Sequence, residues 1–210
     1  MGRNFNDTMK FILGEKEAMS QIFSEKGEVL PVTIVHVSPN IVTGVRTTAK
    51  DGYKAVQVGM GVQKESRLSK SVVGHLKDIT KVKKMVEFRT DSEMNRGDAI
   101  PLDQFTIGEV VDVTGVTKGK GFQGGVKRHG FHGGPRSHGQ KHSEREVGSI
   151  GATGPQRVFK GKRMPGRMGG DQITVKNLKV VAIDTEGGKL YISGAVPGRR
   201  GTLLIIKTSK

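Results

Sequence analysis

The chain has no cysteine and no tryptophan, and only two of its 210 residues are tyrosine. Without cysteine, disulfides and thiolate metal centres are excluded, which fits a reducing compartment. Aromatic residues make up 5% of the chain, too few for the stacking platforms of many single-strand binders. No apolar run approaches the roughly 18 residues that a membrane-spanning helix needs. The opening residues, Met1-Gly-Arg-Asn-Phe-Asn-Asp-Thr8, lack the apolar stretch of a signal peptide. The expectation is therefore a soluble intracellular protein with no membrane partner. Negative charge is also scarce: 20 Asp+Glu face 35 Lys+Arg, a net charge of +15.

That charge is unevenly spread. Residues 117–170 hold 12 Lys+Arg against two acidic residues, Glu144 and Glu146. The same 54 residues carry 15 of the 31 glycines and four of the six histidines, but only ten hydrophobic side chains. A segment so poor in apolar groups cannot offset the entropy of ordering its own backbone. A polyanion, nucleic acid first, is the partner its charge implies. The other 156 residues have ordinary globular composition and enough length for a core.

Period-two alternation over 55–62 and a β-branched run over 29–37 predict strands, the second closed by Pro39-Asn40. Strands are also expected within 105–114, 172–181, 190–196 and 202–206, with Gly187-Gly188 and Pro197-Gly198 as turns. At the start, 10–13 reads as a short strand ending in a turn at Gly14. Residues 71–80 are the best helix candidate, weakened by Gly74, and 81–89 fits helix or strand. Many short strands at this spacing point to a β-barrel rather than to βαβ units. Because strands flank it on both sides, the basic tract is an insertion anchored at two ends.

Several motifs in the tract tempt a catalytic reading. Gly119-Lys-Gly-Phe-Gln-Gly124 satisfies the glycine pattern of dinucleotide sites, which requires a helix opening at the glycines. The following Gly125-Val-Lys-Arg-His-Gly130 is expected not to propagate one. A phosphate-binding loop also fails, since Gly115 and Gly119 enclose three residues and Gly121 stands where a hydroxyl would hold magnesium. His129, His132, His138 and His142 could in principle ligate zinc, but Lys and Arg interleave them and cysteine is absent. Stacking on bases or bonding to phosphate suits those histidines better. Ser137 beside His138 is adjacency in a glycine-rich loop and carries no catalytic geometry. No enzyme activity and no cofactor or metal are expected.

The grammar of the tract matches RNA contact instead. Lys118, Lys120, Lys127, Arg128, Arg136, Lys141, Arg157, Lys160, Lys162, Arg163 and Arg167 are assigned to phosphates. His129, His132, His138 and Phe122 are assigned to bases or sugar edges. Gly119, Gly121, Gly124, Gly133 and Gly134 would let backbone approach RNA closely.

Read as strings, Lys118-Gly-Lys-Gly-Phe-Gln-Gly124, Val126-Lys-Arg-His-Gly-Phe131 and Gly133-Gly-Pro-Arg-Ser-His-Gly-Gln140 resemble the bacterial large-subunit ribosomal protein L-three family. So do Gly148-Ser-Ile-Gly151, Val158-Phe-Lys-Gly-Lys-Arg-Met-Pro-Gly-Arg-Met-Gly169, Val175-Lys-Asn-Leu-Lys-Val-Val181 and Gly194-Ala-Val-Pro-Gly198. The resemblance runs in order from about residue 9 to 206. It implies a mainly β fold: a translation-factor-like β-barrel, a small α+β lobe near 63–104, and a long basic glycine-rich loop. The body would span 9–116 and 171–210, with 1–8 an N-terminal extension.

In function, the resemblance implies a structural constituent of the large ribosomal subunit that binds its rRNA and supports early assembly. The 117–170 loop would penetrate rRNA, its tip of Gly148, Ser149, Ile150, Gly151, Ala152 and Thr153 nearest the peptidyl-transferase centre. Partners would be rRNA and neighbours of the L-fourteen and L-nineteen type, and a homo-oligomer is not expected. Location would be cytoplasmic, with an organelle left open. Two positions depart from the family pattern. Ala18 stands where glycine is usual, and Ala152 stands where some relatives carry a methylated glutamine. An RNA chaperone or regulatory RNA binder acting off the ribosome is the other reading, and a zinc enzyme built on the histidines is a third.

Overall fold

The computed structural model describes residues 9–209, so the expected extension 1–8 lies outside the described residues. Two compact units emerge: Met1–Val116 together with Gln172–Lys210, and Thr117–Asp171. The first is mainly β, as the alternation predicts.

Its larger sheet uses β1 (Phe11–Phe23), β2 (Val29–His36), β7 (Val110–Val116), β10 (Gln172–Asp184), β11 (Lys189–Ser193) and β12 (Leu203–Thr208). They pair antiparallel in the order β1-β12-β7-β10-β11-β2, and β2 pairs back to β1 to close a barrel. Closure demands strong bending, and bulges supply it. One lies in β1 at Lys16/Ala18, and two lie in β10 at Val175/Leu178 and Val180/Ala182. At the first β10 bulge Asn177 takes φ 58, and its N–H donates to Asp112 Oδ1 at 3.1 Å. Asn tolerates that left-handed backbone better than other side chains. Inside the barrel pack Ile12, Val35, Val111, Val113, Leu190, Ile192, Leu204 and Ile206, all fully buried. Each such side chain contributes about 1.5–3 kcal/mol relative to exposure.

A second sheet has the order β5-β4-β3-β6, from β3 (Asn40–Arg46), β4 (Ala55–Val62), β5 (Val82–Phe88) and β6 (Ala99–Ile100). Two short helices accompany it, α1 (Thr48–Asp51) and α2 (Lys70–His75). Its core holds Val42, Val56, Val58, Met60, Phe88 and Ile100, and also Phe11 and Leu13 of β1. Neighbouring strand residues point to opposite faces. Ile12 therefore enters the barrel core while Phe11 and Leu13 enter the other. Leu204 and Ile206 face inward in the same way, with Leu203 and Ile205 on the far side. The β1–β12 ribbon is thus a wall shared by two cores.

Buried Asn40 pins the second sheet to that wall. Its Oδ1 accepts from the Leu13 N–H at 3.0 Å, and its Nδ2 donates to the Leu13 carbonyl at 3.0 Å. Nδ2 also donates to the Ser38 carbonyl at 2.8 Å, so the side-chain amide acts as a one-residue strand. Burial without those bonds would cost about 1–3 kcal/mol per group.

Several local expectations need correction. Gly14 is no turn, since β1 runs straight through it. A Cβ there would lie 2.4 Å from Val35 Cγ1, so glycine makes room where the barrel closes. Pro39-Asn40 ends β2 but also opens β3, a strand the sequence reading missed. The helix expected over 71–80 is only Lys70–His75; beyond it Lys81 Nζ donates to the Leu76 carbonyl at 2.6 Å. Residues 82–88 then form strand, with Val82 and Phe88 buried. The second sheet begins at Asn40, upstream of the 63–104 segment expected for the small lobe.

Candidate nucleic-acid interface

The unit Thr117–Asp171 opens on a two-stranded stem. Thr117 N–H donates to the Asp171 carbonyl at 2.9 Å, and Lys120 N–H to the Met168 carbonyl at 2.9 Å. Met168 N–H returns a bond to Gly121 at 2.9 Å. β8 (Phe122–Gln123) and β9 (Gly166–Arg167) then pair antiparallel. This pairing excludes the dinucleotide reading, which needs parallel strands around a long helix. Contrary to expectation, one helical turn does form after Gly124, α3 (Gly125–His129). Gly130 at φ 71 stops it after five residues.

The unit has almost no interior. Gly125 is its one buried residue, and a Cβ there would lie 2.9 Å from the Phe131 ring and 3.0 Å from Val147 Cγ2. Half-buried Phe131 has the His129 ring at 5.7 Å and the Arg163 guanidinium 5.3 Å from its centroid. Backbone hydrogen bonds replace hydrophobic packing elsewhere. Gly134 N–H donates to the Glu144 carbonyl at 2.9 Å, and Arg136 pairs with the Glu144 carboxylate at 2.7 Å. Gly133 at φ 75 makes that crossing possible, because a Cβ would fall 2.1 Å from the Glu144 oxygen.

Most of the cations assigned to phosphate are exposed: Lys118, Lys120, Lys127, Arg136, Lys141, Arg157, Lys160, Lys162, Arg163 and Arg167. Arg128 and His129 are not free in this way. Arg128 Nη1 donates to the Met164 carbonyl at 2.7 Å, and His129 Nε2 lies 3.0 Å from the same oxygen. Both brace the returning chain through that carbonyl and are half-buried. His132 and His138 are exposed. Among the described residues no group of three or more His, Cys, Asp or Glu is placed to hold a metal ion. Phe122 is 76% exposed, open to a base or sugar.

The glycines separate by cause. Gly133 and Gly134 are explained inside the chain, since Cβ atoms there would meet Glu144, Ser143 or Gln140. Gly119 and Gly124 have neither a positive φ nor any atom within 4 Å of a Cβ. Gly154 is likewise open, though it lay outside the glycines assigned to close RNA approach. Arg145 was missed too; it is exposed and makes no ion pair among the described residues. The whole stretch 148–163 is exposed, Phe159 included at 57%. Within it Ser149 Oγ bonds the Gly151 carbonyl at 3.1 Å, and Arg157 lies 5.9 Å from the Phe159 ring centroid.

A family model described as ribosomal protein L3 matches residues 56–190. "Large ribosomal subunit protein uL3" of Carboxydothermus hydrogenoformans is 48% identical over 202 residues, covering 94% of this chain and 96% of that protein. The protein of the same name from Streptococcus mutans is also 48% identical, covering 95% of this chain and 97% of its own. That of Geobacillus stearothermophilus is 45% identical over 204 residues, with 95% of each chain covered. The family is structural and not enzymatic. This chain, with its barrel and its coreless basic tract, belongs to the ribosomal protein L3 family.

Proposed function

We propose that the chain is a structural constituent of the large ribosomal subunit in the cytoplasm, held to its RNA chiefly through residues 117–171. One observation carries this reading. The tract concentrates 12 Lys+Arg in a unit whose single buried residue is a glycine. Cationic groups in that density, with no core behind them, are ordered by a partner that supplies phosphates. Phosphate contacts would fix position, and the open glycines Gly119, Gly124 and Gly154 would admit RNA against backbone.

Finer assignments follow the family likeness. The barrel, of the kind shared with translation factors, anchors the protein at the subunit surface. The tract extends toward the peptidyl-transferase centre with Gly148, Ser149, Ile150, Gly151, Ala152 and Thr153 innermost. The protein supports early assembly beside neighbours of the L-fourteen and L-nineteen type.

Affinity for large-subunit RNA is the test. A set of roughly 6–10 phosphate contacts costs about 10³–10⁵ in affinity between 50 and 200 mM salt. Deleting 125–165 should flatten that dependence markedly. An unchanged salt slope would remove the tract from the role of principal RNA contact. Persistent absence of the chain from sedimenting large subunits would favour an RNA chaperone acting off the ribosome.

A further inference from the structure

The β1–β2 hairpin continues beyond the part of β2 that β11 covers. β11 pairs with β2 only from His36 to Val32, yet β1 and β2 stay paired as far as Phe23 opposite Val29. Directly opposed residues of an antiparallel pair share a face. Val35 and Thr33 lie buried on one face of β2, and the same face runs on to Pro31 and Val29. Across from them on β1 stand Met19, Gln21 and Phe23. Past the barrel rim this face loses its cover: Met19 is 52% exposed, Val29 51% and Phe23 65%. Ile22 and Leu30, paired on the reverse face, are only half-buried.

An isolated two-stranded ribbon with apolar groups on both faces is marginal in water. A contiguous apolar patch of this kind marks an interaction surface. Its charge decides what kind. Over 19–30, the exposed end of the hairpin, the chain holds Glu25 and Glu28 against Lys26, a net −1 on a protein of net +15. Glu25 and Glu28 flank the turn itself, where Gly27 takes φ 80. An apolar strip bordered by carboxylates repels phosphate, so RNA is the wrong occupant. A second copy is disfavoured as well, because it would bring the two acidic turns together.

We propose that the hairpin tip, with Phe23 and Val29 at its centre, docks a second protein whose apolar patch is rimmed by Lys and Arg. The partner is a basic protein of the same particle, and this clause rests on the ribosomal reading. Phe23 has the character of an interface anchor: a large exposed aromatic, held on a paired strand, at little cost in conformational entropy. The acidic turn meets the basic rim and sets orientation and association rate.

The experiment places a benzophenone side chain at position 23 of the full chain, produced in cells, and irradiates purified large subunits. The expected product is a crosslink to one protein. It should resist ribonuclease, and its linked peptide should join apolar residues to flanking Lys or Arg. A ribonuclease-sensitive product, a product at the chain's own mass or twice it, or a yield no higher than from exposed position 50 overturns the proposal. Phe23→Asp gives a second reading, because an exposed side chain can change without altering the fold. The variant should enter large subunits while the crosslinked partner's occupancy falls by about tenfold. Undiminished occupancy overturns the docking. Absence of the unsubstituted chain from large subunits would instead sink the ribosomal reading, and the docking with it.

Discussion

The barrel body and the basic tract are two solutions to the same problem of ordering a backbone. In the body, Ile12, Val35, Leu190 and Leu204 vanish from solvent and strands share a continuous ladder. In the tract, a stem of paired backbone, a stopped helical turn and one aromatic centre at Phe131 do what they can without a core. The body carries the free energy of folding in its own side chains. The tract leaves its side chains outward, and its remaining stabilisation must come from what they bind. Rigidity and the exposed cations proposed to meet RNA are therefore segregated along one chain.

The sharpest break in this comparison comes from matched truncations. Ile12→Ala removes a side chain from the barrel core and is expected to cost about 2–5 kcal/mol in thermal or denaturant unfolding. Phe131→Ala, the corresponding truncation in the tract, should leave the body's transition within about 0.5 kcal/mol of its starting value. Equal losses from the two would mean that the tract shares the body's cooperative core.

Asn40→Ala is the next largest. It strands the Leu13 N–H and carbonyl in the interior, so a loss of about 2–3 kcal/mol is expected. Measured by urea unfolding, it tests whether the amide joining the two sheets carries stability or merely fills space.

Within the tract, glycine substitutions divide internal from external causes. Gly133→Ala forces a Cβ into the Glu144 oxygen at a positive φ, a strain of about 1–3 kcal/mol. Affinity for large-subunit RNA should fall roughly tenfold by filter binding, with melting of the body unchanged. Gly124→Ala meets nothing within the chain, so any loss of affinity there reports RNA lying against its Cα. Smallest of all is Lys162→Ala, which should weaken RNA binding uniformly and reduce the logarithmic salt slope by about 0.7–0.9.

The sequence carried the body well where β-branched runs or alternating apolar residues mark a strand, as in β2 and β4. It misled where one residue served two purposes. Gly14 looks like a turn but is a gap for Val35, and Asn40 looks like punctuation but is a buried strand surrogate. In the second sheet, β3 was harder to see because Gly44 interrupts its short apolar run. In the tract, charge was visible at once, since it is a sum over residues. Which cations are already engaged was not, because the Met164 carbonyl that holds Arg128 and His129 lies 35–36 residues further along. Such pairings depend on where the stem returns the chain, and no local pattern encodes that.

Backbone amide exchange, followed on the free chain and on the chain bound to large-subunit RNA, tests the division most directly. In the free chain, amides of Val35, Val113 and Leu204 should exchange slowly, while those across 124–165 exchange fast, as for a segment without a core. Bound to RNA, the 124–165 amides should slow sharply while the barrel changes little. A tract already as protected as the barrel in the free chain would contradict the account.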